Sequence, residues 1–325
     1  MNSTIGAQNS SFSNILQNVT SGTTDSPWQG PVTIQAGHII LLVLFAVVIL
    51  AGIFGNALVF VVYGGKELKG TVMASLLRIL ALVDQFTLLL FYTPVWIGYI
   101  FRKVPADISL SYCRLIFINA AAIFLSSWTL LAVSIDRVLC VCRPFLVKKP
   151  NFRRAMLGSL IPTFILMCVM CWARVVFTVR YSNGRCTFHE SNIWGFISAS
   201  LVTYLPGSGI IACNVILLVK LNCFRKSSVA STEAQLRQKQ NMIMLLCLSI
   251  LFVATTCLPL SQIFLLLGNT YESQFTASIV SVGIQAINNS ANFYILCFTG
   301  SKFRSELKKL IPCSSNRVAP TVNQA

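Results

Sequence analysis

Charge is scarce in this chain: of 325 residues only 10% are Asp, Glu, Lys or Arg, while 55% are hydrophobic. A water-soluble domain of this length needs far more charge to cover its surface, so a soluble globular enzyme is a poor reading. Acids are scarcer still, 9 against 25 Lys+Arg, and there are only 2 histidines. No glycine-rich phosphate loop and no His/Cys/Asp/Glu set at metal-ligand spacing occurs, which removes the common routes to phosphoryl transfer and metal-assisted hydrolysis. No internal repeat of the kind that marks many secondary transporters is found. The first 35 residues are polar and rich in Ser, Thr and Asn, without an apolar leader core. No cleavable signal is therefore expected, and the first apolar segment is expected to serve as its own membrane signal.

Seven apolar stretches are present instead, near His38–Tyr63, Thr71–Tyr99, Ser111–Val141, Ala155–Val179, Ile193–Leu221, Asn241–Leu267 and Ala277–Thr299. Each has the roughly 20 residues that cross about 30 Å of hydrocarbon. The expected architecture is an all-α membrane protein, a seven-transmembrane helix bundle with a short amphipathic eighth helix at Ser301–Ile311. Residues 1–37 are expected to form a disordered extracellular tail, 38–300 the membrane domain, 301–311 the membrane-surface helix and 312–325 a disordered cytoplasmic tail. Asn2, Asn9 and Asn18 each open an Asn-X-Ser/Thr acceptor for glycosylation, which favours an outside N-terminus.

The distribution of basic residues agrees with that orientation. With the N-terminus outside, Lys66, Lys69, Arg78, Arg137, Arg143, Lys148, Lys149, Arg153 and Arg154 fall inside. So do Lys220, Arg225, Lys226, Arg237, Lys239, Lys302, Arg304, Lys308, Lys309 and Arg317. Only Arg102, Lys103, Arg114, Arg174, Arg180 and Arg185 fall outside, a split of 19 to 6 among the 25. The net charge of +16 then reads as a membrane-orientation signal, and a nucleic-acid partner is not expected.

Two places carry ionisable groups where lipid makes them costly. Asp136-Arg137 closes the third apolar stretch, and such a pair at that depth is a functional candidate by default. A snorkelling arginine explains Arg137 but leaves Asp136 without a reason. Asp84 is a lone acid deep in the second stretch, with Asn56, Ser126, Asn288, Asn289 and Asn292 available to form a polar chamber. That chamber is either an ion site or a hydrogen-bonded lock between helices. Pro206 and Pro259 interrupt the fifth and sixth stretches, each removing a backbone bond and kinking its helix. Most of the 12 cysteines lie in apolar helices as small hydrophobes. Cys113 and Cys186 fall on the oxidising outer side and are expected to be joined, the other reading being two unpaired loop thiols.

Gly55-Asn56, Leu80-Ala81-Leu82-Val83-Asp84, Leu130–Val138 with Cys142-Arg143-Pro144, Pro206, Pro259, Asn292 and Phe303-Arg304 occur in order along the chain. In that order they resemble the landmarks of the rhodopsin-like G-protein-coupled receptors. The C-terminal stretch from Asn292-Phe293 to Arg304 is similar to the peptide-receptor branch, including FMRFamide-like receptors. The resemblance implies a plasma-membrane receptor that converts ligand binding outside into activation of a heterotrimeric G protein inside. It implies that Asp136 restrains Arg137 at rest, that Pro206, Pro259 and Asn292 belong to the switch, and that Asp84, Ser126, Asn288 and Asn292 hold a sodium ion. No other cofactor is expected.

Several positions depart from the pattern. Cys257 stands for the usual tryptophan, Phe293 for the proline after Asn292, Leu296 for the tyrosine that follows, and Asn214 for the fifth-helix tyrosine. These allow an inefficient switch, high basal activity or a non-signalling relative. The aspartate of amine receptors is missing near Asn119, so a cationic amine is not expected. Arg114, Asn119, Arg174, Tyr204, Gln262 and Gln285 are the candidate pocket residues. Outer arginines outnumber outer acids, which suits a short neuropeptide first, and an anionic lipid or small acid second. Arrestin is expected to read Ser/Thr sites, and Cys313 to accept a palmitoyl group that pins the last helix to lipid. A transporter or channel is the remaining alternative.

Overall fold

The computed structural model describes residues 36–66, 68, 70–101, 110–147, 149, 151–166, 168–169, 179–182, 185–188, 197, 200–227, 233–257 and 271–310, and for 110–120, 179–188, 221–239 and a few single positions the backbone alone. Helix α1 runs from Ala36–Val62 and α2 from Val72–Thr87. A π-helical turn at Leu88–Tyr92 joins α2 to α3, Thr93–Ile100. Next come α4, Leu110–Cys142, a short α5 at Pro144–Val147, and α6, Phe152–Gly158. A second π-turn at Ser200–Tyr204 leads into α7, Leu205–Ser227. Helix α8, Glu233–Phe252, ends in a third at Val253–Cys257. Helices α9, Tyr271–Ser290, α10, Asn292–Thr299, and α11, Ser301–Leu310, complete the described chain.

Among the described residues four helices are long and apolar enough to cross a membrane: Ala36–Val62, Val72–Ile100, Ala121–Cys142 and Ser200–Lys220. Shorter apolar helices cover Arg154–Leu166 and Met242–Thr256. Large apolar side chains cover the outer surface, as suits a bundle solvated by lipid, while glycines and buried polar groups join an apolar core inside. In α1, Leu50 and Phe54 are exposed whereas Gly52, Gly55, Asn56 and Val59 are buried. Gly52 and Gly55 face α9 and α10 so closely that a Cβ on Gly55 would stand 2.7 Å from Phe293 Cβ, and one on Gly52 would collide with Ser290 Oγ. The glycines are what let the two backbones approach.

The described bundle is helical as expected, with one short addition: β1, Val179–Ser182, pairs antiparallel with β2, Arg185–Phe188, with Ser182 opposite Arg185. The two-residue connection is Asn183-Gly184, the dipeptide most suited to a tight hairpin because both residues accept positive φ. Val179, expected inside the fourth span, belongs to this hairpin. At the sixth span the helix starts earlier than the apolar pattern, at Glu233, because a polar first turn extends it beyond hydrocarbon.

Each π-turn ends two residues before a proline: Tyr92 before Pro94, Tyr204 before Pro206, Cys257 before Pro259. A proline has no N–H and its ring clashes with the carbonyl one turn back, so the ladder widens ahead of it. The carbonyls so released need donors, since lipid offers none. Leu201 O, five residues before Pro206, accepts the indole N–H of Trp128 from α4 at 3.1 Å. Phe124 stacks on that indole at 5.5 Å, and Leu201 and Val202 pack around the two rings. Trp128→Phe keeps the ring stack but orphans the carbonyl, at a cost of about 1–3 kcal/mol. Thermal unfolding of purified protein in detergent should show a midpoint several degrees lower, and an unchanged midpoint would count against this bond as a helix tie.

Candidate functional site

Two polar centres lie along the bundle, about 16 Å apart as the 11 residues of α4 from Ser126 to Arg137 rise. The deeper one is built on Asp84, which is fully buried on α2. Ser126 Oγ of α4 donates to Asp84 Oδ1 at 3.0 Å, and Asn292 Nδ2 of α10 donates to Oδ2 at 2.6 Å. One carboxylate thus ties three helices that are far apart in sequence. Beside it, Asn56 Nδ2 of α1 donates to the backbone carbonyl of Asn289 at 2.9 Å. Asn288 turns aside and donates to Asn289 Oδ1 at 3.4 Å.

Two buried polar atoms here have no hydrogen-bond partner among the described residues: Asn56 Oδ1 and Asn289 Nδ2. The chamber therefore holds unmet capacity for both a donor and a cation-seeking oxygen. Its wall on the α9–α10 side is the helix break at Ala291, where α9 ends and α10 begins. The usual cause of such a break, a proline, is absent, since Phe293 occupies that position. The carbonyl that a proline would have freed, Asn289 O, is the one engaged by Asn56.

The second centre closes α4. Asp136 is 1% exposed and Arg137 17%, with Nη2 2.9 Å from Oδ2. Adjacent helix residues do not naturally face each other, so the contact requires bent side chains. Among the described residues, neither carboxylate oxygen nor Arg137 Nε has a hydrogen bond of proper angle. The pair is an ion contact and little else, and a buried ion pair with unmet atoms is costly to keep. Immediately beyond lies α5, where Phe145 is 83% exposed. Sequence reasoning passed over Phe145 because a single apolar residue after a basic turn carries no periodic signal.

At the Arg137 end an aromatic group joins α1, α10 and α11. Tyr63 lies 5.5 Å from Phe303, and Phe293 6.0 Å from the same ring. Phe303 is 1% exposed and Leu296 is completely buried, so hydrophobic packing fills the position where a tyrosine hydroxyl was looked for. Asn214 is buried on α7 and faces a cavity of about 30 Å³ with Leu217, Leu218, Met242, Ile243 and Leu246.

At the opposite end, Tyr99 is 1% exposed and its hydroxyl lies 2.6 Å from Ser278 Oγ. His38 Nε2 lies 2.7 Å from Thr276 Oγ1, and both rings meet Phe275 edge-on. These aromatics are packing between α1, α3 and α9. Of the pocket candidates, Tyr204 is 55% exposed and Gln285 is half-buried. Pro206 is buried. The side chains of Cys113, Arg114, Asn119 and Cys186 lie outside those described. So do Arg174, Pro259, Gln262, Cys313 and the tail residues Asn2, Asn9 and Asn18 entirely.

Residues 55–292 match the family model described as 7 transmembrane receptor (rhodopsin family). The chain is similar to the somatostatin receptor type 1 of Rattus norvegicus, 23% identical over 294 residues that cover 85% of this chain and 73% of the relative. It is also similar to the type-1 angiotensin II receptor of Cavia porcellus, 26% identical over 300 residues, 83% of this chain and 80% of that one. The same receptor of Oryctolagus cuniculus is 26% identical over 295 residues, with the same coverage. With the family match spanning the helices that carry both polar centres, the chain belongs to the rhodopsin family of seven-transmembrane, G-protein-coupled receptors, which signal and are not enzymes.

Proposed function

We propose that this receptor answers a short peptide, with its N-terminus outside the cell and Arg137 at the cytoplasmic mouth. Support for the ligand class comes from relatives named as receptors for the peptides somatostatin and angiotensin II, and from the excess of Arg over acids on the outer loops. The sidedness rests on the 19 to 6 division of basic residues. The domain boundaries proposed are a tail at 1–37 glycosylated on Asn2, Asn9 and Asn18, the receptor bundle at 38–300, the surface helix at 301–311 and a cytoplasmic tail at 312–325. Cys113 and Cys186 are proposed to form the disulfide that ties the hairpin to the start of α4, enclosing a pocket with Arg114, Asn119, Arg174, Tyr204, Gln262 and Gln285.

The observation that carries the signalling reading is the thin restraint on Arg137, whose one ion contact among the described residues is 2.9 Å to Asp136. Opening of the bundle at the kinks before Pro206 and Pro259 breaks that contact and offers the guanidinium to the carbonyls of the G protein's terminal helix. Phe145, solvent-exposed on the same rim, supplies an apolar anchor beside it. Arrestin recruitment and palmitoylation at Cys313 follow the same topology.

The Asp84 chamber fits a sodium ion chemically. A carboxylate, a hydroxyl and amide oxygens are the hard donors such a cation prefers, and Asn56 Oδ1 is an unused buried acceptor. Asp84, Ser126, Asn288 and Asn292 would hold the ion, which supplies charge compensation for the buried acid. Asn288 bonds elsewhere in this structure, so its amide must turn to take part.

Arg137→Ala should lower ligand-stimulated G-protein nucleotide exchange by roughly tenfold or more, the effect of losing about 1.4 kcal/mol or above at the interface, with surface expression retained. Full exchange in that variant would defeat the assignment. Phe145→Ala should cut exchange several-fold while leaving ligand affinity unchanged, as titration of agonist against purified G protein would reveal. In membranes, Asp84→Asn should make agonist affinity independent of sodium concentration, whereas a retained sodium response would leave the chamber a purely structural lock. Screening peptide and anionic-lipid libraries against wild type and Arg137→Ala decides the ligand class.

A further inference from the structure

Arg78 is a lone cation inside a membrane-spanning helix. It sits six residues into α2, about 9 Å of rise from Val72, and shares one stripe of that helix with Leu82 and Phe86 at i+4 and i+8. Leu82 is 44% exposed and Phe86 53%, so the stripe faces the surrounding bilayer. The guanidinium carbon lies 4.4 Å from the centre of the Phe60 ring on α1, itself 37% exposed. It is also 3.7 Å from where a Cβ on Gly64 would stand, at the turn that ends α1. Arg78 Nε is buried without a hydrogen-bond partner, and neither ion pair among the described residues involves Arg78. Lys66, two residues beyond Gly64, is exposed.

A guanidinium left in that position is costly unless its charge is met. Phe60 meets one face of it. The remaining donors form a planar fork suited to two oxygens of a phosphate, and the apolar stripe Leu82–Phe86 continues toward the membrane centre as an acyl chain does.

We propose that Arg78, Phe60 and Lys66 form the head-group site of one anionic phospholipid on the seam between α1 and α2, its chain lying along Leu82 and Phe86. Placing it in the cytoplasmic leaflet rests on the sidedness proposed above. The lipid would brace the turn between α1 and α2 and so the packing of α11 on Tyr63.

The test uses full-length receptor in nanodiscs of phosphatidylcholine containing a small fraction of phosphatidylinositol 4,5-bisphosphate, with bound lipid counted by native mass spectrometry. Wild type should retain one more phosphoinositide than Arg78→Gln, and Phe60→Leu should retain it several-fold less well while keeping the charge. Soluble inositol trisphosphate should fail to displace the lipid. Equal counts in wild type and Arg78→Gln would overturn the proposal. So would displacement by the soluble head group, which would assign the site to a free phosphate. Glu67, in the segment just after Lys66, lies outside the described residues; if it neutralised Arg78, the counts would be equal. Nanodiscs have no sidedness, so an error in topology leaves this readout untouched and is detected separately by accessibility of tags at the two chain ends in intact cells.

Discussion

A carboxylate with no access to water must be answered from within the protein, and the bundle is arranged around that demand at Asp84. Its two oxygens draw Ser126 from α4 and Asn292 from α10, which fixes the rotation of both helices about their axes. The neighbouring Asn56–Asn289 bond does the same for α1. Apolar packing in lipid has little preference for one rotation over another, because tails and leucines are alike. Direction comes from these few polar contacts and from the glycine-lined approach of α1 to the paired helices α9 and α10.

The same demand explains the prolines. Each follows a widened π-turn, and at Pro206 the released carbonyl is taken by a group close at hand. Trp128 serves Leu201 at 3.1 Å, while Leu88 O keeps the backbone N–H of Thr93 and also accepts its Oγ1 at 2.9 Å. Kinks in this receptor are therefore braced joints. A helix that moves about such a joint must carry or exchange those bonds, which makes the motion discrete.

Much of this was legible in the chain itself. Apolar length located the described spans to within a few residues, as with Thr71–Tyr99 against Val72–Ile100, because lipid imposes one simple rule on composition. Asp84 and the Asp136–Arg137 pair stood out because lipid makes them expensive. The partners Ser126 and Asn292 were within reach of the same argument, but Asn288 was indistinguishable from Asn292 until its orientation was seen. The hairpin went unread although Asn183-Gly184 announced it, because the helical pattern of the segment before it ran on to Val179. The π-turns could not be read, since the hydrophobic period is blind to a single inserted residue. Phe145 and Arg78 gained meaning only from their exposure and neighbours.

The interruption at Ala291 has a consequence of its own. Where a proline makes the gap, the missing hydrogen can never be restored. Here Phe293 keeps its amide, and the carbonyl it would use, Asn289 O, accepts from Asn56. The gap at this joint is thus chemically reversible in principle, because donor and acceptor both remain in the chain.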